Sequence, residues 1–428
     1  MERHRSGDLA GARKLYRKLL RKSPNHPAAM NLLGLVNHHQ GDAERAEDLF
    51  RQAIEIAPTF HAAWRNLGNA LVSRKAYEEA RECYERALEL GGEDSSLLSN
   101  YCVALRCLGA GHEAITAGRR ATELDPERAF NWYNLGNAYR VQGKHAEAIR
   151  CFHKTLTLEP AFTPGWDAYC RSTLAREQQS FLGRRTLGKT RRAYREWLAQ
   201  EPENPIAQFL LMSIEEKAPG RVPDQVLQKL FDPSAGTFDE HLGKLGYRAP
   251  AMIEALLAAS LESSNGTLDV LDGGCGTGLC GAFLRSHARR LIGVDLSEGM
   301  LARARSTGHY DELIQAELTA WLAAAVERFD LVVLADTLCY FGEITDLLRG
   351  THRVLSPGGT LVFTVERSPS DSSPFLLHPH GRFSHTESYV KATLSEVGLT
   401  LVSLATDTIR LETGAPVAGL LVMARKEQ

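Results

Sequence analysis

Four glycines, Gly273, Gly274, Gly276 and Gly278, crowd into six residues directly after the apolar run Val270-Leu271 and the carboxylate of Asp272. A strand ending in such a turn lets its backbone come close to a ligand, because glycine tolerates positive φ and carries no side chain. A helix beginning near Thr277 would aim its unsatisfied amides at the same space. The chemistry this suits is the binding of a small polar cofactor. A second carboxylate, Asp295, stands just past the strand-like Arg290-Leu-Ile-Gly-Val, and one carboxylate can accept both hydroxyls of a ribose. The spacing Asp-x-Gly-x-Gly-x-Gly differs from the Gly-x-Gly-x-x-Gly of dinucleotide sites.

The elements that would position these groups follow in order. Phe329-Asp-Leu-Val-Val-Leu-Ala-Asp336 reads as a further strand, and Arg353-Val-Leu-Ser-Pro-Gly-Gly359 before Thr360-Leu-Val-Phe-Thr-Val365 reads as a helix end, a turn and a strand. Leu399 to Leu411 and Val417 to Met423 read as two more strands, joined through 412–416. This order and spacing, over residues 250 to 428, resembles the class I S-adenosylmethionine-dependent methyltransferases. The resemblance implies an α/β Rossmann-like domain with a seven-stranded sheet whose last strand is antiparallel, and S-adenosyl-L-methionine as cofactor. It further implies that Asp272, Gly274, Cys275, Gly276 and Gly278 line the methionine part, that Asp295 holds the ribose, and that Leu296 and Met300 flank the adenine. Glu317 stands where the family usually has an aspartate near the adenine amino group.

Methyl transfer from a sulfonium is a direct displacement, so alignment and exclusion of water matter more than a general base. Asp336, Thr337, Leu338 and Tyr340, just beyond their strand, are expected to face the methyl group. No Asn-Pro-Pro-Tyr motif is present, which argues against the exocyclic amine of a base or of a glutamine as acceptor. In the polar segment His378 to Tyr389, Arg382 is a candidate clamp for a carboxylate and His385 a candidate proton acceptor. Phe238, His241 and Tyr247, in a segment belonging to neither helical repeats nor sheet, are candidates for a lid over the cofactor.

The first half repeats with a period of thirty-four residues. Met30, Trp64, Leu98, Trp132 and Trp166 fall on it, as do Gly34, Gly68, Cys102, Gly136 and Cys170, then Ala12, Ala46, Ala80, Ala114 and Ala148, and finally Pro24, Pro58, Pro126 and Pro160. Small residues let two helices approach, prolines end each second helix, and the period is that of tetratricopeptide repeats. An α-solenoid with a concave groove is expected. Met1 falls inside a unit, since the helix ahead of Gly7 is missing. Asn66, Asn69, Asn100, Asn134 and Asn137 are candidate groove residues, because amides can hold a peptide backbone of any sequence. They resemble the asparagine ladder of the O-linked N-acetylglucosamine transferase repeats, though Asn-Leu-Gly-Asn also follows the repeat consensus. A late insert with Arg184, Arg185, Lys189, Arg191, Arg192 and Arg195 is basic.

The expected organisation is a tetratricopeptide repeat solenoid over 1–216, a linker and active-site lid over 217–250, and a class I methyltransferase domain over 251–428. The 50 basic residues are offset by 52 acidic ones, giving a net charge of −2, so nucleic acid is not expected as a partner. No run is long and apolar enough to span a membrane and no apolar signal core begins the chain, so a cytoplasmic protein is expected. The cysteines are scattered without a Cys-x-x-Cys pair and the histidines show no metal-ligand spacing, so reduced thiols and no metal are expected. Three functions fit: a methyltransferase acting on a protein or peptide recruited by the groove, a repeat scaffold with a cofactor-binding domain of little activity, and a small-molecule methyltransferase using its repeats for assembly.

Overall fold

The computed structural model describes residues 8–179, 187–215, 219–261, 266–412 and 415–427. Met1, Gly7, Arg184, Arg185, Lys217 and the start of the 412–416 connection lie at or beyond the edges of these ranges, and the expectations resting on residues 1–7, 180–186, 216–218 and 413–414 lie outside the described residues. The chain divides between Glu201 and Pro202 into two compact units.

The first unit is helical: α1 (Leu9–Lys22), α2 (Pro27–His39), α3 (Ala43–Ile56), α4 (His61–Ser73), α5 (Tyr77–Glu89), α6 (Ser95–Cys107), α7 (Gly111–Leu124), α8 (Ala129–Val141), α9 (His145–Leu158), α10 (Thr163–Gln179) and α11 (Gly188–Gln200). The repeat period has a contact behind each series. The indole N–H of Trp64, Trp132 and Trp166 donates to the carbonyl of Pro58, Pro126 and Pro160 at 2.8, 2.7 and 2.8 Å, so the paired Trp and Pro series are two ends of one hydrogen bond. A Cβ on Gly34, Gly68 or Gly136 would lie 2.6–2.7 Å from the ring of Phe50, Tyr84 or Phe152. These rings are fully buried. The third repeat reverses the arrangement, with Cys102 in place of the glycine and Gly118 in place of the aromatic, so the pair keeps its complementary sizes. The turn between the two helices of a repeat needs a left-handed residue, supplied by Gly41, Gly109 and Gly143, and by Lys75 at φ 62° in the second repeat.

The second unit opens with α12 (Pro205–Ile214), inside the 1–216 span expected for the repeats; its Phe209 and Leu210 lie against Gly381. Then come α13 (Asp224–Phe231), α14 (Phe238–Lys244) and α15 (Ala249–Ser260). The sheet is built from β1 (Leu268–Gly273), β2 (Ala288–Asp295), β3 (Glu312–Gln315), β4 (Phe329–Leu334), β5 (Leu355–Arg367), β6 (Phe375–Leu377), β7 (Phe383–His385), β8 (Leu399–Glu412) and β9 (Ala415–Lys426). Its helices are α16 (Gly281–His287), α17 (Glu298–Thr307), α18 (Leu318–Ala324), α19 (Thr345–Val354) and α20 (Glu387–Glu396). The order β3-β2-β1-β4-β5 is parallel, β9 runs antiparallel to β5 along Thr360–Glu366, and β8 pairs outside β9. These are the seven expected strands. Among the described residues the sheet has nine, because the short pair β6–β7 joins at Glu366 and Arg367.

Alternation along the strands assigns the two faces. Leu271, Val332 and Phe363 join Leu322, Leu348 and Leu394 of α18, α19 and α20, whereas Val270, Val333 and Val362 join Ile253, Leu257 and Leu284 of α15 and α16. One local expectation fails: the helix expected near Thr277 begins at Gly281, because Gly278 at φ 88° keeps the chain in a turn.

Candidate active site

The carboxyl ends of β1, β2 and β4 open into a cleft. This is where open α/β sheets place their ligands. Gly273, the extra glycine of the loop, is required by its neighbours: a Cβ there would lie 2.5 Å from a methyl of Leu334. Gly276, at φ 55°, has nothing within 4 Å of such a Cβ, leaving its backbone open to a ligand. Asp272, Gly274, Cys275, Gly276, Asp295, Leu296, Met300, Glu317, Asp336 and Tyr340 line the cleft. Gly278 does not; its turn lies against Tyr310 and Ala304.

Asp295 organises the loop as well as facing the cleft. Its Oδ2 accepts the Gly276 N–H at 2.9 Å and its Oδ1 the Ser297 N–H at 2.8 Å, leaving each oxygen a lone pair. Burial raises its pKa, opposed by these amides. Asp272 is fully buried and accepts from the Tyr310 hydroxyl at 2.7 Å. Burial pushes its pKa up to about 7. Glu317 caps α18 with both oxygens, accepting from Thr319 N–H at 3.0 Å and Ala320 N–H at 2.7 Å, and meets Arg221 at 3.3 Å. Glu317 thus serves both as the cap of this helix and as a wall of the cleft.

A roof of apolar side chains closes over these carboxylates. Leu227, Phe231, Phe238, Leu242 and Tyr247 line it, and the Phe231 ring meets Phe238 and Tyr340 edge-on at 5.8 and 5.5 Å. His241, also expected in the lid, is exposed and off the cleft, since it lies on the outer side of α14. Two hydrogen bonds tie the roof to the loops below: Thr277 Oγ1 donates to Asp239 and Ser297 Oγ to Asp232, each at 2.5 Å. The segment expected as a linker is likewise engaged, with Val222 N–H donating to Tyr340 O and Gly342 N–H to Gly220 O, each at 2.8 Å. Arg221 and Asp224, brought to the cleft by this pairing, carry no sequence motif that would have found them.

Behind Tyr340 lies a buried charge network. Asp336 adopts φ 52°, rare for a residue with a side chain. Its N–H donates to Thr364 Oγ1 at 2.8 Å and its Oδ2 accepts from Arg382 at 2.6 Å. Arg410, 1% exposed, meets Glu366 at 2.5 Å, and Arg382 reaches Glu366 at 3.1 Å. Asp336 Oδ1 makes no hydrogen bond and lies 3.8 Å from Arg410 Nη1. Arg382 also covers the Tyr340 ring at 5.3 Å. Two expectations change here. Arg382 lies off the cleft, and its guanidinium is engaged by this chain's own carboxylates. His385 is fully buried in β7, its Nε2 3.1 Å from Gly342 O, with burial pushing its pKa down to about 4, so it supports the Gly342 loop and does not face the cleft.

Three of the asparagines of the first unit donate across repeats. Asn66 donates to Asn31 at 2.8 Å, Asn100 to Asn69 at 2.8 Å, and Asn134 to Ser99 Oγ at 2.9 Å. Asn137 donates to Tyr133 O and accepts from Arg140. Asn66 and Asn134 are buried, so their amides staple neighbouring repeats and are not presented to a peptide. Asn137 is buried too, its amide engaged within its own helix, whereas Asn69 and Asn100 are half-buried.

S-adenosylmethionine carries a sulfonium, an ammonium and a ribose diol. The cleft answers with the carboxylates of Asp272, Asp295 and Asp336, with Arg221 as its one lining cation among the described residues, and with the open backbone at Gly276, so the residues present fit the group.

Residues 271–363 match the profile of a methyltransferase domain, and residues 3–59, 37–99 and 129–162 match tetratricopeptide repeat profiles. Among curated proteins, the malonyl-[acyl-carrier protein] O-methyltransferase of Enterobacter lignolyticus is 36% identical over 155 residues, covering 36% of this chain and 58% of that protein. The human methyltransferase-like protein 27 is 32% identical over 154 residues, covering 35% and 62%. The chain thus spans little more than half the length of these relatives. Similar solved structures include the repeat protein YrrB, at a TM-score of 0.38 and 19% identity, covering 45% of this chain and 95% of that one. Magnesium protoporphyrin IX methyltransferase of Synechocystis PCC 6803 with bound S-adenosylmethionine aligns at a TM-score of 0.34 and 17% identity, covering 42% and 79%. The chain joins tetratricopeptide repeats to a class I methyltransferase domain whose cofactor is S-adenosylmethionine.

Proposed function

We propose that this chain methylates a protic acceptor, a hydroxyl or an amine, seated before Asp336 and Tyr340, and that its repeats recruit the protein bearing it, in a cytoplasmic setting. Asp336 carries this reading: a strained residue at the cleft, held from behind by Arg382, with one buried carboxylate oxygen that makes no hydrogen bond. Unpaired buried acceptors are costly, and an acceptor O–H or N–H would satisfy this one while turning its lone pair toward the methyl group. The bound cofactor supplies an electrophilic methyl on a sulfonium. The roof of Phe231, Phe238 and Tyr247 keeps water from it, and Asp295 with the Gly276 backbone holds its far end.

The name of the Enterobacter relative raises a second reading, an acceptor carried by an acyl-carrier protein. A carboxylate acceptor would bring its charge against Asp336, which favours the protic one. The test is labelled-methyl transfer in a cell extract with the full chain. Label on a protein hydroxyl or amine is expected. Absence of cofactor binding together with absence of transfer would leave the repeat scaffold as the function, and label on a carboxylate would overturn the choice of acceptor.

A further inference from the structure

Phe231, Phe238, Tyr247 and Tyr340 line the same cleft as Asp336. Phe231 meets Phe238 at 5.8 Å with 87° between the ring planes, and Tyr340 at 5.5 Å with 80°, so neighbouring rings stand as walls at near right angles. Burial first, and the Asp336 charge after it, push the Tyr247 phenol well above its ordinary pKa; burial does the same for Tyr340, so both rings stay neutral. Neutral rings set at right angles beside a carboxylate suit a cation, because each ring face carries the negative part of a quadrupole. The Tyr340 ring already carries one from outside the cleft, the Arg382 guanidinium 5.3 Å from its centre.

The charges behind this wall do not balance. Among the described residues the carboxylates of Asp336, Glu366 and Glu412 are held by only the guanidiniums of Arg382 and Arg410, which leaves one negative charge over. His378 and His380, which face Glu366 and Glu412, add no charge, since burial lowers the pKa of both. Of this network Asp336 alone lines the cleft, and its Oδ1 makes no hydrogen bond. Arg221, the lining cation, is already taken by Asp224 at 2.6 Å and Glu317 at 3.3 Å, so it is not set to receive an anionic acceptor.

We infer that the acceptor is a primary aliphatic amine, bound as its ammonium ion, with Asp336 Oδ1 accepting its hydrogen bond and the four aromatic rings as its walls. The inference rests on the methyltransferase reading and narrows its acceptor from a hydroxyl or an amine to an amine. A hydroxyl would give Oδ1 a hydrogen bond and leave the surplus charge as it is, whereas an ammonium answers both. An aliphatic amine differs from the exocyclic nitrogen of a base or a glutamine amide in carrying that charge at neutral pH. The ammonium passes one proton to Oδ1, and the freed nitrogen lone pair forms the N–C bond as the C–S bond breaks. Sulfur keeps the bonding pair and leaves as S-adenosylhomocysteine; Oδ1 returns its proton to water as the methylammonium product departs. Positive charge thus moves from sulfur to nitrogen and stays between the aromatic walls.

The experiment is calorimetry on the full chain saturated with S-adenosylhomocysteine, titrated with n-hexylammonium and, separately, with hexanol, its neutral analogue of the same length. The ammonium is expected to bind about tenfold or more tightly than the alcohol. Asp336→Asn, at a left-handed position that asparagine tolerates, should abolish that preference and keep S-adenosylhomocysteine affinity within a few-fold. Phe231→Leu, outside the charge network, should weaken the ammonium about threefold or more and leave the alcohol unchanged. Equal binding of the two probes, no binding of the ammonium, or an undiminished preference in either variant would overturn the amine while the methyltransferase reading stands. Failure of the wild type to bind S-adenosylhomocysteine would overturn that reading and this inference with it.

Discussion

The hydroxyl of Thr277, in the glycine loop, donates to the carboxylate of Asp239, in the roof above it, at 2.5 Å. A residue thirty-eight positions upstream thereby ties the cover of the cleft to the turn beneath it, and Asp232 does the same through Ser297. Closure of the roof and order in the loop are therefore coupled.

That coupling predicts the effect of Asp239→Asn combined with Asp232→Asn. Each change replaces a charge-assisted hydrogen bond with a neutral one, weakening the pair by roughly 1–3 kcal/mol in total. Calorimetry should find S-adenosylhomocysteine bound about 5- to 100-fold more weakly, with global unfolding little changed. Unaltered affinity would show that the roof is held by its aromatic contacts alone.

Asp336→Asn should lower kcat by about a hundredfold or more and leave cofactor affinity within a few-fold, because the carboxylate serves the acceptor. A comparable loss of cofactor affinity would instead assign Asp336 to the cofactor.

Arg410→Ala removes a 1%-exposed guanidinium and strands Glu366, whose partner it is at 2.5 Å. The expected destabilisation is about 3–5 kcal/mol, the usual consequence of leaving a buried charge uncompensated. Chemical denaturation of the variant measures it. A loss under 1 kcal/mol would mean that Arg382 alone compensates Glu366.

Asp272 sets a pH dependence. Its folded pKa, raised to about 7 by burial, exceeds the ordinary 3.8, so the folded chain holds a proton that the unfolded chain releases between these values. Its contribution to stability is present below pH 3.8 and is lost as pH rises toward 7, with a slope of order 1.4 kcal/mol per pH unit. In Asp272→Asn, which keeps an acceptor for Tyr310, this slope should vanish, so the variant gains on the wild type between pH 4 and 7. Parallel stability curves for the two proteins would refute the shift.

Lys75 occupies the left-handed turn position that Gly41, Gly109 and Gly143 hold in other repeats. Lys75→Gly should raise stability by about 1 kcal/mol, read as a higher denaturation midpoint at unchanged slope.

The repeats were legible in the sequence because each is built from contacts within or between adjacent units. A fixed spacing in the chain is then a fixed spacing in space, so the Trp and Pro series predicts the bond from Trp132 to the Pro126 carbonyl before any coordinates. The sheet and the glycine loop were legible for a related reason, since apolar strands, turns and Asp295 are local signals in a set order. Only the tertiary structure decided which side chains reach the cleft. His385 and Arg382 are polar residues in a polar segment, yet β7 buries the first beneath Gly342 and turns the second onto Asp336, forty-six residues earlier. Arg221, Asp232, Asp239 and the charge network around Asp336, Glu366, Arg382 and Arg410 left no periodic trace. Their partners are far apart in the chain, and the identity of each residue depends on a charge that only folding brings beside it.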